Sequence, residues 1–345
     1  MPSTKASNAI LAKARAMYGK CLTDSDYQQL LDCKTVSEVA AYLKTRTNYG
    51  SALTGMNEND AHRGQLEPLL RQNIYYDVSA LSRYAAETSL AFSEFIVGNM
   101  EVQQIIRCLT LVNIGRPDEY VYSMPLSLDN FSKISLKALT SVRTYDDILE
   151  VLKSSKYFPA LQKFRPKNGE RIRIAELELE LNNRNYAAVI DTINKSDNGK
   201  DKQELNDLFN AILDFNNIAR IIRLKKYYKF PAEKIKPLLI PYGKLKPKTI
   251  EEFCEAESVR EVFELSRSTY LGKLMSKLQY NDQTQITDVL LSMFCKHHLR
   301  LSPNPTIVMI SYVYLKEIEL RNIVNIIEST RYGISVDEKK KLLVR

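Results

Sequence analysis

The chain has 345 residues, of which 44% are hydrophobic and 26% charged, and this composition excludes a disordered protein. Glycine is scarce, at 11 residues, and strong helix formers are plentiful, which favours a helical fold. The net charge of +8 is compatible with nucleic acid, an acidic protein face or a lipid surface as partner. The five cysteines include no C-x-x-C pair, which is typical of reduced thiols in the cytosol. No apolar run reaches the roughly 20 residues of a membrane-spanning helix.

Four stretches without glycine or proline predict long helices. They are residues 69–97, 170–198, 273–302 and 306–332. Residues 176–181 alternate in polarity like a strand, but they are strong helix formers, so we predict a helix there. Asn304 and Pro305 form a good start for the last helix, and Gly333 is a typical stop. Residues 335–338 predict a capping box that opens a short final helix.

Three segments of the sequence resemble one another. Residues 35–53, 144–161 and 258–274 each open with Ser or Thr and close on Tyr-x-x-x-Leu. The closing pairs are Tyr49 with Leu53, Tyr157 with Leu161, and Tyr270 with Leu274. A second element, Ile-Ile-Arg, recurs at 105–107 and 221–223, and residues 322–327 look like the start of an unfinished further copy.

The repeats predict three helical modules, with approximate boundaries at residues 1–98, 99–205 and 206–345. The alternative is a repeated hydrophobic pattern without common ancestry. If the modules are real, the three motif tyrosines, Tyr49, Tyr157 and Tyr270, are expected to pack between helices and not to act in catalysis.

Motifs for catalysis are missing from the sequence. Gly50 and Gly55 have P-loop spacing, but Met56 and Asn57 stand where Lys and Ser or Thr are needed to bind phosphate and magnesium. Cys295 and His298 could face one metal ion on a helix, but no second cluster completes four ligands. We therefore predict no catalytic residue, cofactor, metal or small-molecule substrate. An enzyme with an unmarked acid–base pair is a further alternative.

The most prominent charge feature is the window 220–248, which contains ten basic residues and a single acid, Glu233. We interpret it as a docking face for an acidic partner. The alternatives are a nucleic-acid site with Tyr227 and Tyr228 as stacking platforms, or a solvated basic surface. The candidate contact residues are Arg220, Arg223, Lys225, Lys226, Lys229, Lys234 and Lys236.

Three stretches resemble the d-subunit family of V-type ATPases, whose archaeal and bacterial members are called C subunits. They are residues 12–50, residues 214–228 with 239–243, and residues 305–333. The last contains a Lys-Glu-x-Glu-x-x-Asn-Ile pattern typical of the family. Its characteristic residues are Lys316, Glu317, Glu319, Asn322 and Ile323. The middle copy departs from the pattern, because residues 101–106 lack the expected Asn-Ile.

The resemblance implies an all-α fold of three similar modules, arranged with pseudo-threefold symmetry as a funnel. It implies a non-catalytic central-stalk component that joins the soluble rotor shaft to the membrane proteolipid ring. Such a component transmits torque for ATP-driven proton or sodium transport, or for ATP synthesis. It would be cytoplasmic and peripheral on the membrane through the ring, with no nucleic-acid partner. The family motif residues, including the three tyrosines, would be structural. The alternative function is a helical-repeat nucleic-acid-binding protein that uses the basic window 220–248.

Overall fold

The computed structural model describes residues 4–58, 62–85, 90–167, 170–195, 199–272 and 286–344. All regular structure in these ranges is helical, which confirms the all-α prediction. The α-helices are α1 Thr4–Tyr18, α2 Asp24–Asp32, α3 Val36–Arg46, α4 Arg63–Ala85, α5 Leu90–Phe92, α6 Gly98–Asn113, α7 Tyr120–Ser123, α8 Leu126–Asp129, α9 Leu136–Leu139, α10 Tyr145–Val151, α11 Phe158–Lys163, α12 Ile174–Asn194, α13 Gly199–Arg223, α14 Ala232–Ile235, α15 Pro247–Glu255, α16 Val259–Arg267, α17 Ile286–Leu301, α18 Pro305–Arg331 and α19 Val336–Lys341. Short 3₁₀ turns occupy Pro117–Glu119 and Lys236–Leu238, and π-helical turns occupy Ser93–Val97 and Leu224–Tyr228.

The predicted long helices are largely confirmed. Residues 176–181 lie within α12, and α18 begins after Asn304, whose side chain accepts hydrogen bonds from the Thr306 and Ile307 amides. Residues 86–89, 196–198 and 273–285 of the predicted stretches lie outside the described residues. Helical structure continues beyond the predicted stretch 69–97, through Gly98 into α6. Gly98 is required by packing, since a Cβ there would lie 2.0 Å from the Asn185 side-chain oxygen on α12.

The helices that open the three similar segments are capped in the same way. The side chains of Thr35, Thr144 and Ser258 each accept a hydrogen bond from the backbone amide three residues later, at the starts of α3, α10 and α16. Such caps satisfy amides that have no partner within the helix. The starts of the three segments are therefore alike in structure, as their sequences predict.

The chain divides into two compact units, and the division into three modules remains a prediction. The first unit comprises Met1–Ala14 and Arg71–Lys202, and α6 packs on α12 within it. The second comprises Arg15–Leu70 and Gln203–Arg345, and α17 packs along α18 within it. In the second unit, the Arg15 guanidinium donates to the Leu299 and Ser302 carbonyls at 3.0 and 2.9 Å, which fixes the end of α1 against the end of α17.

Candidate functional site

In the first unit, α6 carries a buried carboxylate. Glu101 is 1% exposed, and the Tyr157 hydroxyl donates a hydrogen bond of 2.8 Å to its Oε2. Its Oε1 accepts from the backbone amide of Lys133 at 2.6 Å and from the Ser132 hydroxyl at 2.9 Å. Burial, and then the Glu101 charge, raises the pKa of Tyr157 far above its ordinary value, so the phenol keeps its proton and remains a donor. One carboxylate thus joins α6 to two separate connecting segments.

In the second unit, α13 carries an equivalent group. Asp214 is buried, and Tyr270 donates to its Oδ2 at 2.6 Å. The same oxygen accepts from the backbone amides of Lys244 and Leu245 at 2.9 and 3.1 Å. Burial raises the pKa of Asp214, while hydrogen bonds from Tyr270 and the two amides act in the opposite direction. Gly243 permits the close approach, because it has a φ of 137° and a Cβ there would lie 2.1 Å from Asp214 Oδ1.

The third cluster, also in the second unit, joins the two ends of the chain. Glu319 on α18 accepts from the Tyr49 hydroxyl at 2.7 Å and from the backbone amide of Leu22 at 2.6 Å. The Lys316 ammonium, whose side chain is fully buried, lies 2.6 Å from Glu319 Oε1 and 4.3 Å from the centre of the Tyr49 ring. The residues 322–327 that looked like an unfinished copy therefore belong to the helix that completes the first one.

A buried side-chain amide follows each carboxylate by three positions, one helical turn on. The amide of Asn217 pairs with both backbone groups of Ile240, and that of Asn322 pairs with both backbone groups of Val344. Gln104 is the counterpart in α6, where it bonds to two tyrosine hydroxyls. The middle copy, which lacks the expected Asn-Ile, thus contains a Gln-Ile in its place.

We name the three sets of residues carboxylate clusters. Their members are Glu101, Ser132, Lys133 and Tyr157; Asp214, Lys244, Leu245 and Tyr270; and Glu319, Leu22, Tyr49 and Lys316.

In sequence, each helix carries a carboxylate, then an amide three positions later and then isoleucine, a signal that could have located the clusters. This register aligns Arg107 with Arg220, so the predicted pairing of residues 105–107 with 221–223 is wrong by three positions. Glu317 is half-buried and Leu274 lies outside the described residues.

The ten basic residues of the predicted docking face fall into two groups: four that bond to a carbonyl or an acid within the protein, and six that have no acidic partner in the part of the chain that the structure describes. Arg220 and Lys225 donate to the backbone carbonyls of Leu238 and Ala256, both at 2.6 Å. Lys236 pairs with Glu251 and Glu255, and Lys244 pairs with Asp207. Among the described residues, no acid pairs with the other six basic side chains, which are Arg223, Lys226, Lys229, Lys234, Lys246 and Lys248.

Cys295 and His298, the two residues considered above as metal ligands, pack against neighbouring side chains. Cys295 is buried, and the His298 ring contacts Phe294 edge to face, with ring centres 4.5 Å apart. In the described part of the chain, no group of three or more His, Cys, Asp or Glu side chains could hold a metal ion. No helix in that part is long and apolar enough to cross a membrane.

Comparison with known proteins defines the class of protein. Residues 10–342 match the family model described as ATP synthase (C/AC39) subunit. The C subunit of the A-type ATP synthase of Pyrococcus abyssi is 22% identical over 96% of this chain and 88% of its own length. The C subunits of the A-type ATP synthases of Methanosarcina barkeri and Methanosarcina mazei are each 25% identical over 97% of this chain and 91% of their own length.

The chain therefore belongs to the ATP synthase C/AC39 subunit family. It is a structural subunit of a V/A-type rotary ATPase and not a catalytic one, as the sequence resemblance predicted.

Proposed function

We propose that this chain is the central-stalk subunit that joins the soluble rotor shaft to the membrane proteolipid ring and transmits torque between them. The observation that carries this proposal, beside family membership, is the recurrence of the carboxylate clusters. A protein that transmits torque must resist deformation, and each cluster cross-links a long helix to segments distant in the sequence. Two of the three lie in the second unit and one in the first.

The clusters supply stiffness because their hydrogen bonds are charge-assisted and buried. Such bonds are about twice as strong as neutral ones. A deformation that separated Glu101 from Tyr157 or Asp214 from Tyr270 would leave a carboxylate without a donor in a low-dielectric interior. Close packing around the clusters has low compressibility, so a load applied at one place is carried through the unit.

The part of the docking face at the start of α15 is proposed to contact a protein partner in the rotor. The cations best suited to this role are Lys246 and Lys248, which are exposed at the start of α15. Charge pairing at an exposed surface gives specific attachment that salt weakens. Lys225, by contrast, is a poor probe of docking, because reversing its charge would also break its bond to the Ala256 carbonyl.

The test is co-elution in size exclusion of the purified chain with shaft subunits and detergent-solubilised ring, at about physiological salt. Complex formation with both supports the function, and elution alone would overturn it. Lys246→Glu/Lys248→Glu should weaken assembly in a salt-dependent way. These substitutions are compatible with the fold, since acidic residues are favoured at a helix N-terminus.

The matched control is Lys137→Glu/Lys153→Glu, which makes the same charge change at exposed sites in the first unit. Equal weakening by both pairs would contradict a specific docking face. A parallel mixture with random nucleic acid tests the alternative function, which predicts complex formation there that falls steeply as salt rises.

A further inference from the structure

The three helices that carry the carboxylate clusters end in the same way. Each is followed by a residue in the left-handed conformation, Gly115, Lys229 or Gly333, with φ of 73°, 53° and 65°. Gly115 and Gly333 follow their carboxylates by fourteen positions and Lys229 by fifteen, because the π-helical turn Leu224–Tyr228 accommodates one additional residue. The helix ends are therefore equivalent positions of the repeat.

The hydrogen bonds at these ends confirm the equivalence. The amides of Arg116 and Ile334 donate to the carbonyls of Leu111 and Ser329, five positions back, at 2.8 and 2.9 Å. The amide of Phe230 donates to the carbonyl of Leu224, six positions back, at 3.3 Å. This pattern, in which a left-handed residue closes the last turn, is a common helix stop.

A large apolar side chain is exposed immediately before each left-handed residue. Ile114 is 59% exposed, Tyr228 58% and Tyr332 69%. Of the ten large apolar side chains exposed in the described part of the chain, seven lie at these ends or in the connection that follows. The seven are Ile114, Val121, Tyr122, Leu126, Tyr227, Tyr228 and Tyr332. Within each unit, exposed apolar side chains are thus concentrated at these helix ends, which indicates a site of interaction there.

The second helix end adds strong positive charge. We define the aromatic tip as Arg223, Lys226, Tyr227, Tyr228 and Lys229. The Lys226 ammonium lies 5.4 Å from the centre of the Tyr227 ring, and both tyrosines are more than half exposed. Lys229 has a positive φ where the other two ends have glycine, a conformation that is sterically unfavourable for a residue with a Cβ. A cation is therefore present where glycine would be more stable.

We propose that the aromatic tip binds the headgroup region of a bilayer that contains anionic lipid. Tyrosine is enriched at membrane–water interfaces, and each Lys or Arg near an anionic surface strengthens binding about fivefold. The tip's cations have no acidic partner among the described residues, so their charge is available to lipid phosphates. The inference is independent of the proposed rotor function.

Lipid fits these helix ends better than a protein partner does. The three equivalent ends share exposure and apolar character but not shape, because one presents isoleucine, one two tyrosines and one a single tyrosine. A protein partner requires complementary shape at each contact. A lipid surface accepts any apolar side chain that is flanked by cations.

The experiment is flotation of the full chain with vesicles of phosphatidylcholine alone, or with about one-third phosphatidylserine. The proposal expects binding to the anionic vesicles that weakens as salt rises. Lys226→Gln/Lys229→Gly should reduce binding roughly ten- to thirty-fold, by the loss of two cations. The glycine suits the left-handed position, so this variant should fold. Tyr227→Ser/Tyr228→Ser should weaken binding and keep its salt dependence.

The control Lys137→Gln/Lys153→Gln removes two exposed lysines elsewhere and should bind like the unmodified chain. Equal affinity for both kinds of vesicle, or equal loss in tip and control variants, would overturn the proposal. The proposal would also be overturned by a tip variant that binds vesicles like the unmodified chain but no longer co-elutes with the shaft and ring in detergent. The tip would then be a protein contact. Because the vesicles contain no rotor protein, binding to them does not depend on whether the rotor assembles.

Discussion

Tyr270 and Asp214 lie 56 positions apart in the chain, and the tyrosine hydroxyl is 2.6 Å from the carboxylate. Tyr157 and Glu101 are separated by the same 56 positions and make the same bond. Tyr49 and Glu319 repeat it across 270 positions, because the last long helix supplies the carboxylate for the first segment. The first copy of the motif is therefore assembled from both ends of the chain.

Removing the hydroxyl of a motif tyrosine should lower the free energy of unfolding more where water cannot replace the lost hydrogen bond. Tyr157 is fully buried, so Tyr157→Phe should lower the free energy of unfolding by about 1.5–3 kcal/mol. Tyr270 is 41% exposed, and Tyr270→Phe should cost less. Urea unfolding measures both variants. The control is Tyr122→Phe, at a position that is 86% exposed, and it should change the free energy of unfolding by no more than about 0.5 kcal/mol. Equal losses at all three positions would contradict a role for the clusters in stability.

Gly243 and Gly115 form a matched pair for testing the Asp214 cluster. Both have positive φ, but a Cβ at Gly115 meets nothing within 4 Å, whereas one at Gly243 would collide with Asp214. Gly115→Ala should cost only the left-handed penalty of about 1–2 kcal/mol. Gly243→Ala should cost about 3 kcal/mol or more, because it also displaces a buried carboxylate from its donors. Hydrogen exchange should show loss of protection at the Lys244 and Leu245 amides in Gly243→Ala alone.

The sequence predicted the helical class and the caps at Thr35, Thr144, Ser258 and Asn304, because these depend on neighbours within a few residues. Of the capping box predicted at residues 335–338, only the bond from the Glu338 amide to the Ser335 side chain is formed.

The sequence also singled out the three motif tyrosines. It did not predict the partners of those tyrosines. The carboxylates lie far away in the chain and vary between Glu and Asp, and the amide beside them varies between Gln and Asn. Lys236 and Lys244 were predicted to belong to one continuous basic region. Their acidic partners Glu251 and Asp207 lie outside the window 220–248, so only the fold reveals the neutralisation.

The buried ion pair of Lys316 and Glu319 should be sensitive to the loss of one partner. Lys316→Met leaves a buried carboxylate without its counter-charge, which should cost about 3–5 kcal/mol of unfolding free energy. Lys316→Met/Glu319→Gln should recover part of that loss, because no charge is then left unpaired. Lys195→Met breaks an exposed pair with Asp191 and should cost under about 1 kcal/mol. A double variant no more stable than Lys316→Met would refute an electrostatic origin of the loss.

The pKa values of two aspartates should be shifted in opposite directions from the ordinary value of about 3.9. Hydrogen bonds from the Arg143 and Thr144 amides lower the pKa of Asp147, whereas burial raises that of Asp214. A lowered pKa gives stability that is present above the unfolded value and lost as pH falls through the folded one. For Asp214 the pH dependence of stability has the opposite sign. The folded state binds the proton more tightly than the unfolded state does, so stability falls as pH rises from the unfolded pKa through the folded one.

Carbon-13 NMR titration of the side-chain carboxyl carbons measures both aspartates in one sample. Tyr270→Phe should raise the pKa of Asp214 further, because the tyrosine hydroxyl donates to its ionised form, and should leave Asp147 unchanged. An Asp214 that titrates at or below Asp147 would mean that its hydrogen bonds outweigh burial. The carboxylate would then be stabilised in its ionised form, and the pH dependence of folding would change sign.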